Sequence, residues 1–182
     1  MLAILGQRTT ATWRHRFLTT NWDTLLEREV DRAWPTICPS WLESTHVYHL
    51  NGTVEEEADN PRRSYFLLES DPPATRVAKL EANVACANMV WSDCFVVVGM
   101  SFECAMDNSL LTAFGKVPLP VEVSRWLIVD PDEGTRMRVC ANIQTKIPRA
   151  VAIGVPRHLD EWLGQGLPEL QDLGVLSPAR LV

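Results

Sequence analysis

Short apolar runs alternate with longer stretches of helical spacing along the chain. The runs are RFLTT (16–20), HVYHL (46–50), CFVVVGM (94–100), RWLIVDP (125–131) and AVAIGVP (150–156). They are rich in Val, Ile, Leu and Phe, and most stop at Gly, Pro, Asp or Asn. Continuous apolar runs of this length suit strands covered on both faces, as in parallel sheets. Between them, Asp23–Arg32 sets Leu25, Leu26 and Val30 on one face, with Glu27, Arg28, Asp31 and Arg32 elsewhere. Ala74–Trp91 places Val77, Leu80, Val84, Ala87 and Trp91 three or four residues apart, the spacing of an amphipathic helix. Asp107–Phe114, Glu133–Ile143 and Arg157–Leu163 are shorter helical candidates. Strands alternating with helices predict an α/β fold: a parallel sheet with right-handed crossovers and helices on both faces.

Residues 1–182 read as a single domain, without internal repeats. EEEADNPRR (55–63) is the most loop-like stretch, and Gln165–Val182, with two glycines and two prolines, predicts an irregular terminal segment.

Composition narrows the function classes. The chain carries 17 basic and 23 acidic residues, a net charge of -6, which argues against a non-specific nucleic-acid binder. No apolar run reaches membrane-spanning length, and MLAILGQRTT lacks the pattern of a secretory signal, so a soluble cytoplasmic protein is expected. Five cysteines (Cys38, Cys86, Cys94, Cys104, Cys140) form no C-x-x-C pair. They predict reduced, buried thiols rather than disulfides or a zinc site.

Ligands of open α/β sheets bind beyond the carboxyl ends of the strands. The residues at those ends are Thr19, Thr20, Asn21 and Asp23; Asn51, Gly52 and Thr53; Gly99, Met100 and Ser101; Asp130, Pro131 and Asp132; and Gly154. Each also has a local role open to it. Asn21 or Asp23 suits a helix N-cap, Gly99 a strand-ending residue with positive φ, and Asp130–Pro131 a turn. Gly99-Met100-Ser101 opening a helix would equally bring backbone close to a phosphate or ribose. His15, His46 and His158 have no partners at metal-ligand spacing, and no metal site is expected.

Taken in order, FLTTNWDTLLE (17–27), VYHLNGTV (47–54), VVVGMSF (96–102) and WLIVDPD (126–132) resemble the sirtuin-like NAD-binding family, in particular its bacterial branch without a zinc module. The resemblance implies a Rossmann-like sheet, NAD as substrate or ligand, and cleavage of the nicotinamide–ribose bond. Several bacterial members of the family consume NAD in defence against phage, while others deacylate lysine. Asn21 and Asp23 would face the nicotinamide ribose, with Thr19 and Thr20 shaping that edge. Gly99 and Ser101 would approach the ribose or phosphate, and Asp130 the adenosine part.

The sequence departs from the family pattern twice. The N-terminal G-A-G-x-S strand and turn is absent, which predicts a sheet incomplete at the N-terminus. The chain is then a truncated copy, or its edge is covered by rearrangement, by a second copy or by a partner chain. Asn51 also stands where the family has its general-base histidine, and an amide takes no proton at neutral pH. His49, two residues earlier on an extended strand, points to the same face. Two readings follow: an NAD glycohydrolase, or an inactive module that binds NAD, ADP-ribose or a partner protein. A Rossmann-like domain that binds no nucleotide is the third.

Overall fold

The computed structural model describes residues 17–21, 25–26, 28–30, 32, 47–52, 67–87, 89, 92–117 and 123–176. The first sixteen residues lie outside them. So do Asp23, Thr53, the 55–63 stretch, Trp91, Cys38, His15 and His46.

All five apolar runs are strands: β1 (Phe17–Thr19), β2 (Val47–His49), β3 (Cys94–Val98), β4 (Ser124–Val129) and β5 (Ala150–Val155). Every pairing among the described residues is parallel. β1 pairs with β2, in the register Thr19 opposite His49. β3, β4 and β5 form a second sheet in that order, with Phe95 opposite Trp126 and Trp126 opposite Ala152. The helices whose bounds lie among the described residues are α1 (Pro73–Cys86), α2 (Ala105–Lys116), α3 (Glu133–Lys146), α4 (Leu159–Gly164) and α5 (Pro168–Asp172). This is an α/β Rossmann-like fold whose described strands fall into two parallel sets.

Side-chain alternation builds a core on each face. Phe95, Val97, Trp126 and Ile128 pack with Leu80 and Val84 of α1, Leu110 and Phe114 of α2, and Val139 and Ile143 of α3. The intervening Leu127, Val129 and Val155 meet Trp162, Leu167 and Leu170 of the α4–α5 segment. α2 and α3 pack in the first core, on one face of β3–β4–β5, and the C-terminal helices pack in the second, on the other. The centre of the first core is aromatic: Phe95 stacks on Trp126 with ring centres 4.2 Å apart, and Phe114 stands edge-on to both. β1 spans the same two cores, since Leu18 packs into the first and Phe17 into the second.

Three elements differ from the sequence expectation. Leu25 is 63% exposed, while Val30 is fully buried, so the apolar stripe of the first helical stretch is turned away from Leu25. α1 stops at Cys86, where the Ala87 N–H closes the last turn on the Asn83 carbonyl, well short of Trp91. The described part of the tail, which runs to Leu176, is helical rather than irregular over Pro168–Asp172. Gly166 and Leu167, both at positive φ, bend the chain into α5, and Glu169 accepts from the Trp162 indole and from Arg157, each at 2.5 Å.

Candidate functional site

The carboxyl end of β2 is unusual for the polarity it buries. Of the buried polar side chains among the described residues, His49, Asn51 and Asn83 gather there, and Ser124 lies apart. β2 ends at His49, and Gly52, at φ 84°, closes the turn by donating to the His49 carbonyl at 3.2 Å. Both side chains of this turn reach back to the end of β1. His49 Nδ1 lies 2.7 Å from the Asn21 carbonyl oxygen, and Asn51 Nδ2 donates to the Thr20 carbonyl at 3.2 Å. A carbonyl oxygen only accepts, so Nδ1 carries the proton and the neutral ring holds its lone pair on Nε2. Thr19 contributes locally: its hydroxyl oxygen accepts from the Asn21 N–H at 3.1 Å. Asn21 itself is exposed at the strand end.

Thr19, Thr20, Asn21, His49 and Asn51 are therefore brought together. Gly99, Ser101 and Asp130 sit at the carboxyl ends of β3 and β4, in the other strand set. The stretch after β3 does not open a helix directly. α2 begins at Ala105 and is capped by Cys104, whose sulfur accepts from the Asp107 N–H. Gly99 and Ser101 thus belong to the six-residue loop 99–104 ahead of the helix start. Gly99 has φ 66° and open space around the position a Cβ would occupy, and Phe102 is also left-handed at φ 57°. A non-glycine residue held this way stores about 1–3 kcal/mol of strain, here enforced by burial of the Phe102 ring. Ser101 Oγ accepts from the Glu103 N–H, a local turn contact.

Asp130 is occupied with its own turn. One of its carboxylate oxygens accepts from the Asp132 N–H at 2.8 Å, and Arg136 clamps the Asp130 and Pro131 carbonyls at 2.7 Å each. Asp132 caps α3, and Thr135, through its side chain and then its backbone N–H, holds that carboxyl below its ordinary range. An exposed ion pair, Arg138 to Glu103, links α3 to the loop after β3.

The expectation of uniformly buried thiols does not hold for the described cysteines. Cys104 is exposed, and Cys94 and Cys140 are half-buried. Burial still pushes the Cys94 thiol up to about 11, which makes it a poor nucleophile. No group of metal-ligating side chains occurs among the described residues, and no described helix is long and apolar enough to cross a membrane.

One participant, Asn83, was not anticipated from sequence. It lies between Leu80 and Val84 on the apolar stripe of α1, and a carboxamide on such a stripe is the signal that marks it. Comparison with protein-family models, with curated proteins and with solved structures finds no match. The class of protein is accordingly defined by the fold: an α/β parallel-sheet domain with buried polar groups at a strand end.

Proposed function

We propose that the protein binds NAD at the carboxyl ends of its strands and hydrolyses the nicotinamide–ribose bond. The observation that carries this reading is the pair of buried side chains, His49 and Asn51, fastened onto the Asn21 and Thr20 carbonyls. With Nδ1 committed to a carbonyl, Nε2 of His49 is the basic nitrogen of the cluster. It would take a proton from water or a ribose hydroxyl as the bond to nicotinamide breaks. Asn51 and Asn21 would supply amide dipoles that orient the ribose and stabilise its oxocarbenium-like transition state. Gly99, Ser101 and Asp130 would meet the remainder of the dinucleotide, and Asp23 belongs to the same assignment. As in the bacterial sirtuin-like proteins that the motifs resemble, consumption of cytoplasmic NAD would serve defence against phage.

The test is release of nicotinamide from NAD by the purified chain, followed by chromatography. Wild type is expected to release it, and Asn21→Ala and His49→Ala to lose that activity. Full turnover in both variants would sink the assignment. A second reading is favoured by Asn51 at the position of the family's base: a module that binds nucleotide without turnover. It predicts no nicotinamide release but a thermal shift with ADP-ribose, because a ligand selective for the folded state raises stability.

A further inference from the structure

The turn that carries His49 and Asn51 is held from a second side. Asn83 on α1 is 2% exposed and donates from Nδ2 to the Leu50 carbonyl oxygen at 2.8 Å. Leu50 sits between the two site residues, and its own N–H donates to the Thr19 carbonyl at 2.8 Å. The Leu67 N–H donates to the Asn51 carbonyl at 3.1 Å. Every peptide group from His49 to Asn51 is thereby fixed at one or both ends.

A carboxamide between Leu80 and Val84 costs stability unless its polar atoms are bonded, and an apolar side chain would pack there without that requirement. The bond that Asn83 makes goes to the one carbonyl that sets the plane of the Leu50–Asn51 peptide. Rotation of that plane would swing the Asn51 Cα–Cβ bond and pull its Nδ2 from the Thr20 carbonyl. α1 also runs toward β3 and packs on α2, so Asn83 ties the end of β2 to the helical layer over the second strand set.

We propose that Asn83 is a positioning residue. By holding the Leu50 carbonyl from α1, it sets the orientation of Asn51 and His49 over the end of β1. Its effect on turnover rests on the NAD reading above, whereas its effect on side-chain geometry does not.

The experiment compares wild type, Asn83→Asp and Leu80→Ala by nitrogen-15 NMR and by kinetics. Asn83→Asp keeps the shape and, at a pH where its carboxyl is ionised, removes the donor, since a carboxylate only accepts. Leu80→Ala loosens the same helix without touching the bond. The expected result is that the Asn51 side-chain amide and the His49 ring signals move in Asn83→Asp and stay in place in Leu80→Ala. In parallel, kcat for nicotinamide release should fall by about ten- to a hundred-fold with KM little changed, as for a displaced catalytic group. Asn83→Ala, which removes the donor without adding charge, replaces Asn83→Asp if the latter does not fold. Unmoved signals on loss of the donor, or equal movement in Leu80→Ala, would overturn the proposal. If wild type releases no nicotinamide, the NAD reading fails, and the NMR comparison still decides the positioning role.

Discussion

His49 Nδ1 and the backbone carbonyl of Asn21 meet at 2.7 Å across the ends of two parallel strands, 28 residues apart in sequence. The contact selects the tautomer of the ring as well as its orientation. Long-range proton–nitrogen correlation is therefore expected to show Nδ1 protonated and Nε2 unprotonated in the neutral ring. His49→Phe, which keeps the bulk, should lower stability by about 1 kcal/mol through loss of the bond. A ring protonated on Nε2 would contradict the assignment.

Ser124 is fully buried, and its hydroxyl oxygen accepts from the Trp126 indole N–H at 3.0 Å. Ser124→Ala leaves that buried donor without its partner. A loss of about 1–3 kcal/mol is expected, read as a lower urea midpoint at unchanged slope. A midpoint equal to wild type would mean that the indole finds another acceptor.

Two helical glycines should respond with opposite signs. A Cβ at Gly115 in α2 would lie 2.2 Å from the Lys146 carbonyl oxygen at the end of α3. The obstacle is backbone, so Gly115→Ala should destabilise by about 1–3 kcal/mol despite the better helix propensity of alanine. Gly164 in α4 has open space at the same position, and Gly164→Ala should stabilise by about 0.5–1 kcal/mol. Thermal denaturation of both variants checks the pair; a shift in the same direction would refute the packing explanation.

Glu169 confers a pH dependence on the C-terminal segment. Burial raises its carboxyl, but the Trp162 indole and Arg157 outweigh that and hold it below the ordinary 4.5. A carboxylate whose folded pKa is depressed contributes stability above its unfolded pKa and loses it as the pH falls through the folded value. Glu169→Gln should cost about 1 kcal/mol at pH 7, the low end for a charge-assisted pair because the partly exposed pair is screened. The gap between variant and wild type should close as the pH falls from 4.5 through the depressed pKa. A gap constant down to pH 3 would count against this account.

The strands were legible because β4 and its neighbours are apolar on both faces, so that RWLIV and CFVVV carry the mark of a covered parallel sheet. Helix limits were less so. The periodicity of Ala74–Trp91 continues past the point where the backbone turns at Ala87 toward β3. Leu25 shows a related limit: spacing defines a stripe, but the neighbouring elements decide which edge of it is covered. At the site, the rule that strand carboxyl ends collect polar groups pointed to Asn21 and Asn51, and His49 followed from lying two residues before Asn51 on an extended strand. Asn83 escaped it because its role depends on a partner 33 residues away. The left-handed backbone of Phe102 was equally hidden, since burial of its ring, and not its residue type, enforces that conformation.

The division of the described strands into two parallel sets bears on cooperativity. Among the described residues no backbone ladder joins β1–β2 to β3–β4–β5, so coupling between them passes through side chains packed in the shared cores and through α1. Opening one set need not break the ladder of the other. Amide exchange is expected to resolve a less protected unit around Leu18 and Tyr48 and a more protected one around Leu127 and Ile128. The strand end that holds His49 would then belong to the part of the molecule that breathes first.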